Sequence, residues 1–278
     1  MRVIVHLSDI HFGRVDPALI GPLSGVITRI APDLVAVSGD LTQRARRSEF
    51  TAARRFLDGL PFPRLAVPGN HDVPLYNVVA RLATPLDRYK RFITDDLSPV
   101  YRDEEVIVVG VNTARAFTWG ETVRSFTLGE GRINEEQVDD IVGHLSGAPR
   151  DCIRIVVTHH PFDLPEGVRE ERLLGRAAMA MARLSAAGAD LFLAGHLHIS
   201  HIGHTAERYK INGHSALIVQ AGTVSTRSRG EQPSFNVLRI ERPQISVERF
   251  VWDPATHIFA ETAASIFRHT GAGWNSAQ

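Results

Sequence analysis

The chain has 278 residues, a formal net charge of zero, 44% apolar residues and one cysteine. That length suits one large domain or two small ones, and the neutral balance excludes the uniform footprint of a protein that coats nucleic acid or anionic membrane. A lone Cys152 excludes an intramolecular disulfide and a thiolate metal cluster, and fits a reducing compartment.

Met1-Arg2-Val3-Ile4-Val5 enters a strand at once, without the apolar stretch of a secretory signal. No apolar run approaches a membrane span. Both features predict a cytoplasmic protein. Val3 to Leu7 reads as a strand ending in Ser8-Asp9-Ile10-His11. Asp9 and His11, two apart, project to one side of an extended backbone. Leu19, Leu23, Val26, Ile27 and Ile30 give Pro17 to Ile30 helical spacing. Leu34 to Val37 is a strand ending in Ser38-Gly39-Asp40, and Glu49 to Leu60 is a helix with an apolar stripe. Arg64 to Val67 is a strand that Pro68 stops, and Gly69 is expected to turn the backbone where a Cβ would be strained. The loop then offers Asn70, His71 and Asp72. Alternating strands and helices predict a mostly parallel sheet. Ligand loops of such sheets lie at strand carboxyl ends.

Tyr76 to Phe92 reads as helix broken near Pro85, and Val106 to Val111 as a strand hairpinned with Val100 to Arg102. Ala114 to Gly131 has no period and reads as a long loop. Asn134 and Gln137 form a capping box for a helix reaching about Leu145. Ile153 to Val157 is a buried strand, with Cys152 expected as an inert buried thiol, and ends in Thr158-His159-His160-Pro161. Leu173 to Ala187 reads as an Ala-rich helix. Leu191 to Ala194 ends in Gly195-His196-Leu197-His198. Beyond it the pattern turns antiparallel. Arg208 to Ile211 and Ala216 to Val219 flank Asn212-Gly213 as a hairpin, and Phe235 to Ile240 pairs with Ile245 to Trp252. The polar, Gly-rich tail from about Phe267 is expected to be loose. No repeat or linker divides residues 1–278, which predicts one domain.

Asp9 with His11, Gly39-Asp40, Gly69-Asn70-His71-Asp72, His159 and Gly195-His196-Leu197-His198 therefore meet along one sheet edge. This ordered set resembles the calcineurin-like metallophosphoesterases, whose signature is Asp-x-His, Gly-Asp, Gly-Asn-His-Asp/Glu, His and Gly-His-x-His. The resemblance implies a four-layer α/β/β/α sandwich with two mixed sheets. It implies that Asp9, His11 and His198 hold one metal, that Asn70, His159 and His196 hold a second, and that Asp40 bridges them. In the family the ligand precedes the proline by two residues, which selects His159 over His160. His71 would act on the scissile phosphate, with Asp72 orienting its ring. His201, His204 and His214 fall beyond the motif and read as surface or loop residues.

Oxygen and imidazole donors without thiolate suit two divalent ions, Mn, Fe or Zn. Two ions roughly 3.5–4 Å apart, with a bridging hydroxide as nucleophile, can drive in-line displacement at phosphorus. The segment from Gly222 to Gly230 resembles that of bacterial class III cyclic-nucleotide phosphodiesterases. Arg227 or Arg229 there could pair with a phosphate. His160 could pack or lie near the substrate. Tyr76, Asn77, Tyr89, Phe92, Phe117 and Trp119 could stack a base, line an acyl groove or serve as core. The expectation is a phosphodiesterase acting on a diester such as a cyclic nucleotide or glycerophosphodiester. One alternative is a phospholipase C-like enzyme cleaving lipid headgroups, whose tail aromatics Phe259, Phe267 and Trp274 touch a membrane. Another is a non-catalytic protein-binding scaffold. Partners are then the phosphodiester substrate, a peripheral membrane contact if that substrate is lipid, and a second copy in a homodimer. No stable nucleic-acid complex is expected.

Overall fold

The computed structural model describes all residues except 117, 120–125, 128, 210–214, 228–229, 272 and 278. In chain order the elements are β1 (Arg2–Leu7), α1 (Pro17–Ile30), β2 (Leu34–Val37), α2 (Arg47–Asp58), β3 (Arg64–Ala66), α3 (Val78–Ala83), α4 (Asp87–Phe92), β4 (Val100–Arg102) and β5 (Val106–Gly110). There follow β6 (Thr118–Trp119), β7 (Phe126–Thr127), α5 (Glu135–Ser146), β8 (Ile153–Val157), α6 (Ala177–Ala186), β9 (Leu191–Ala194), β10 (His201–His204) and α7 (Thr205–Tyr209). The chain closes with β11 (Leu217–Gln220), β12 (Ser234–Glu241), β13 (Gln244–Asp253), β14 (Ile258–Thr270) and β15 (Gly273–Ser276). No helix among the described residues is long and apolar enough to cross a membrane.

Two mixed sheets face each other. One runs β15-β14-β13-β12-β1-β2-β3 and the other β10-β11-β9-β8-β5-β4. The strands carry the period-two alternation that splits one run of apolar residues between two cores. Ile4, Ala36 and Leu65 of the first sheet meet Val108, Ile155 and Leu193 of the second in the central core. Their strand neighbours Val5 and Val37 turn outward onto Leu23 and Ile27 of α1 and Phe50 and Leu57 of α2. Val109 and Val156 turn outward onto Ile141 of α5 and Met181 of α6, over the buried Cys152. The result is the expected four-layer α/β/β/α arrangement.

The helix starts follow local chemistry. Asp16 Oδ1 accepts from Ala18 N at 2.9 Å ahead of α1. Ahead of α5, Asn134 Oδ1 accepts from Gln137 N at 2.8 Å and Gln137 Oε1 from Asn134 N at 3.2 Å, the reciprocal pair expected from the sequence.

Four segments depart from expectation. The helix predicted from Leu173 starts at Ala177, because Leu174 N and Gly175 N donate to Pro161 O and Gly131 O, and Arg176 sits at φ 64°. Arg208 and Tyr209 belong to α7 instead of a strand, and the antiparallel partner of β11 is β10. The Asn212-Gly213 turn and His214 lie outside the described residues. The segment 114–131 holds a short β6–β7 hairpin. The tail is not loose: β14 and β15 extend the first sheet, with Phe267↔Ser276 and Thr270↔Gly273 in register.

The tail aromatics are therefore core. Phe259 and Phe267 are buried, and Trp274 is fully buried between the sheets with its Nε1 donating to Asp190 Oδ1 at 2.9 Å. None of them can touch a membrane. Trp274→Ala is expected to cost about 3–5 kcal/mol, the range for removing a large buried aromatic. Urea unfolding would show this as a lower midpoint with an unchanged slope, and a loss below about 1 kcal/mol would mean that the tail is peripheral to the fold.

Candidate metal centre

The loops after β1, β2 and β3 of the first sheet and after β8 and β9 of the second open on one edge of the sandwich, so the clusters come from two sheets and not from the single sheet edge expected. Asp9 N donates to Gly39 O at 3.1 Å and His11 N to Asp40 O at 3.0 Å, which zips the first two loops together. Asp9, His11, Asp40, His196 and His198 all have φ between 50° and 72°. Side-chain-bearing residues rarely adopt this left-handed region, and such strain gathers where the fold over-determines a site. Gly69 plays a different part from the one expected. Its φ is −104°, which any residue tolerates, but a Cβ there would collide with Asp40 Oδ1. A Cβ on Gly195 would likewise collide with Ser8 Oγ. These glycines are needed for space.

Each carboxylate has one oxygen tied down by hydrogen bonds and the other turned towards imidazole nitrogens. Asp9 Oδ2 accepts from Ser8 Oγ at 2.6 Å and His196 N at 2.9 Å. Its Oδ1 is buried without a hydrogen-bond partner, 3.0 Å from His198 Nε2 and 3.6 Å from His11 Nε2. Asp40 Oδ1 accepts from His71 N at 2.8 Å, while its Oδ2 lies 3.7 Å from His11 Nε2 and 3.4 Å from His159 Nε2.

The imidazoles are set the same way. Nδ1 of His11, His159 and His198 donates to Thr42 O (3.2 Å), Ser38 O (2.8 Å) and Arg227 O (2.7 Å) respectively. That leaves each Nε2 with a lone pair aimed inward. His11 and His198 Nε2 face each other at 3.1 Å. Asn70 Oδ1 lies 3.1 Å from His159 Nε2 and 3.0 Å from His196 Nδ1. Lone pairs converging at such distances repel unless a cation or proton lies between them. Oriented backbone acceptors behind ligating imidazoles are also what metal sites use.

The field of the site calls for positive charge. Burial would raise the Asp40 carboxyl, but His159, His71 and His11 outweigh it and hold it well below the usual carboxylate range. Burial would likewise raise Asp9, and His198 and His11 hold it low. Burial would lower His159, but Asp40 lifts it to about 9. Ligand atoms of Asp9, His11, Asp40 and His198 lie within 4.8 Å of one another, as do those of His159, His160 and His196. Asp40 stands between the groups. The donor set therefore fits two divalent ions.

His160 differs from its neighbour. Its two ring nitrogens pair with Thr113 Oγ1 (2.9 Å) and Gly129 O (3.1 Å), and burial with His159 beside it pushes it down to about 3. It is a neutral strut. His201 and His204 lie in β10, with His201 beside Asp163 and His204 against Phe267.

Asp72 does not orient His71. Its carboxylate accepts from Gly69 N (2.9 Å), Leu41 N (3.2 Å), Thr42 N (2.9 Å) and Thr42 Oγ1 (2.9 Å), binding two loops together. Burial and Asp40 push it up to about 6. Gln43 O fills the expected place, accepting from His71 Nδ1 at 2.8 Å, because the third loop folds back over the second. Arg227 Nη1 donates to His71 Nε2 at 2.8 Å. A cavity of about 140 Å³ opens beside them, lined by Asn70, His71, Leu75 and Arg81.

Of the other residues singled out, Arg229 and Phe117 lie outside the described residues, as does the side chain of Trp119. Tyr89 is fully buried and Phe92 stacks on Phe50, so both are core. Asn77 caps α3, its Oδ1 accepting from Ala80 N at 3.0 Å. Tyr76 is 70% exposed under the Arg44 guanidinium and does not line the cavity beside His71. One neighbour escaped sequence reasoning: Arg172, whose Nη1 reaches to 3.4 Å from His196 Nε2. It lies in no motif and arrives from the loop between β8 and α6.

A family model described as calcineurin-like phosphoesterase matches residues 2–200. Glycerophosphodiester phosphodiesterase GpdQ of Enterobacter lignolyticus is 36% identical over 83 residues, covering 25% of this chain and 29% of that protein. The match thus spans less than a third of that relative. A dimetal phosphatase from Danio rerio superposes with a TM-score of 0.68 at 12% identity, covering 97% of this chain and 99% of that one. A purple acid phosphatase from yellow lupin, Lupinus luteus, gives 0.67 at 12% identity, covering 95% and 53%. At such identities these two similarities concern the fold alone.

Proposed function

The chain belongs to the calcineurin-like phosphoesterase family, and on that premise we propose that it hydrolyses phosphodiesters with two divalent ions. Asp9, His11 and His198 would hold one ion, Asn70, His159 and His196 the other, and Asp40 both. Bound there, the ions supply Lewis-acid charge to the phosphate and an activated water as nucleophile.

The chain's own residues do the rest. The observation that carries the reading is the buried Asp40 carboxylate, whose Oδ2 lies 3.4 Å and 3.7 Å from imidazole nitrogens of the two groups. His71 sits beside them with its Nδ1 proton committed to Gln43 O, so that Nε2 faces Arg227 and the open cavity. A phosphate oxygen entering there meets the Arg227 guanidinium, a charge-assisted donor, while His71 handles the leaving oxygen. The presence of His71 with every family ligand supports an enzyme over a scaffold. The similarity to a glycerophosphodiester phosphodiesterase supports diesters over monoesters, and glycerophosphodiesters over cyclic nucleotides.

The test is a comparison of bis(p-nitrophenyl) phosphate with p-nitrophenyl phosphate on protein loaded separately with Mn, Fe(II) or Zn. The diester is expected to lead in kcat/KM by at least about tenfold, or ~1.4 kcal/mol of transition-state stabilisation, and chelation should abolish turnover. A monoester preference would overturn the diester reading. Inactivity on both esters with two ions bound would overturn hydrolysis.

A further inference from the structure

Among the described residues nine large apolar side chains are exposed, and five of them fall within residues 75–82: Leu75, Tyr76, Val78, Val79 and Leu82. Helix α3 is turned inside out. Val79 is 77% exposed and Leu82 59%, whereas Arg81 is 5% exposed. Arg81 Nε donates to Ala116 O at 2.6 Å and Nη1 to Pro74 O at 3.0 Å. A helix that packs only on its own protein turns its apolar stripe inward. Here a buried guanidinium clamps the helix from below and the apolar side chains are presented to the outside. Single exposed apolar residues need no account, but a contiguous set marks a contact surface.

Concentrated positive charge flanks this helix on the side of Ala80. A groove of about 570 Å³ runs between α2, α3 and α4, and Pro74 and Ala80 form its apolar wall. Its charged lining is Arg47, Arg88, Lys90 and Arg91 against the single acid Asp87, in a chain whose formal net charge is zero.

We propose that this face seats on an anionic lipid bilayer, with the apolar side chains of α3 in the interface and the groove cations against lipid phosphates. Apolar side chains flanked by Lys and Arg are what peripheral insertion requires. A nucleic acid would leave Val78, Val79 and Leu82 in water. A second copy in a two-fold dimer would set this basic groove against itself, because such an interface uses the same patch twice. Leu75 also lines the cavity beside His71, so the seated face opens towards the candidate metal centre. A headgroup diester presented at the bilayer would reach that cavity. This last consequence rests on the diester reading above, whereas the seating itself does not.

The experiment is flotation of the full, metal-loaded chain with phosphatidylcholine vesicles, with and without phosphatidylglycerol. The chain should float with the anionic vesicles and be released by salt. The double variant Val79→Glu with Leu82→Glu should lose at least about tenfold in vesicle affinity, the factor that one buried valine or leucine side chain represents. Its kcat/KM on a soluble diester should be unchanged, since both side chains are exposed and neither lines the cavity beside His71. Failure to float with either vesicle, or equal binding by the double variant, would overturn the proposal. So would a dimer that the double variant dissolves in a chain that binds no vesicle. Vesicle binding is read without turnover, so an inactive protein that floats would sink the diester reading and leave the seating intact.

Discussion

Asp40→Ala is expected to empty both metal positions together and to abolish turnover. Asp40 Oδ2 faces nitrogen lone pairs of both ligand groups, from His11 and from His159. Losing a hydrogen bond behind a metal ligand costs about 10–100-fold in affinity, so losing the shared ligand itself should cost more than about 100-fold at each position. Asp40→Asn separates charge from shape. It keeps an oxygen for the His71 amide, which Asp40 Oδ1 accepts at 2.8 Å, and should fold normally while binding little metal. Metal content at fixed free Mn, read beside kcat, checks both variants. An Asp40→Ala protein holding two ions and turning over normally would refute the shared-carboxylate assignment.

His71→Ala should behave in the opposite way, keeping both ions and losing about 10²–10⁴-fold in kcat, the range for a positioned acid–base group. Neither ring nitrogen of His71 points into the ligand groups: one donates to Gln43 O and the other receives Arg227. Its own contact with the cluster is through the backbone, and alanine keeps that amide. Loss of metal in step with loss of turnover would make His71 a ligand and undo its assignment. The pair of variants thus divides holding metal from handling the phosphate ester.

Much of this centre could be read from short segments, for a local reason. Asp9 and His11, Asn70 and His71, and His196 and His198 each fall within three residues at the end of a buried strand. A strand's period and its carboxyl end are set by nearest neighbours in the chain. The four layers were implied by the family resemblance that these motifs carry, and in the structure Ile4 and Val5, or Ile155 and Val156, part to opposite faces of their sheets. What orients His71 was not legible. The carbonyl that holds His71 comes from Gln43 and the donor to its other nitrogen from Arg227, 28 and 156 residues away. Asp72, the adjacent candidate, is drawn off by four donors from the loops.

Composition also misled where burial was decided at a distance. The tail looked polar, yet Trp274 is held between the sheets by Asp190, 84 residues earlier. Helix α3 read only as part of a helix broken near Pro85, yet Arg81 bonds to Ala116 across 35 residues while Val78, Val79 and Leu82 stay exposed. By itself the sequence determined the strand ends and which side chains stand at them, since those follow from the period of the chain, and it implied the layers through the family resemblance of those motifs. Only the tertiary structure decided which oxygen or nitrogen of each side chain faces the other ligands and which apolar residues stay exposed, because both depend on partners that only folding brings together.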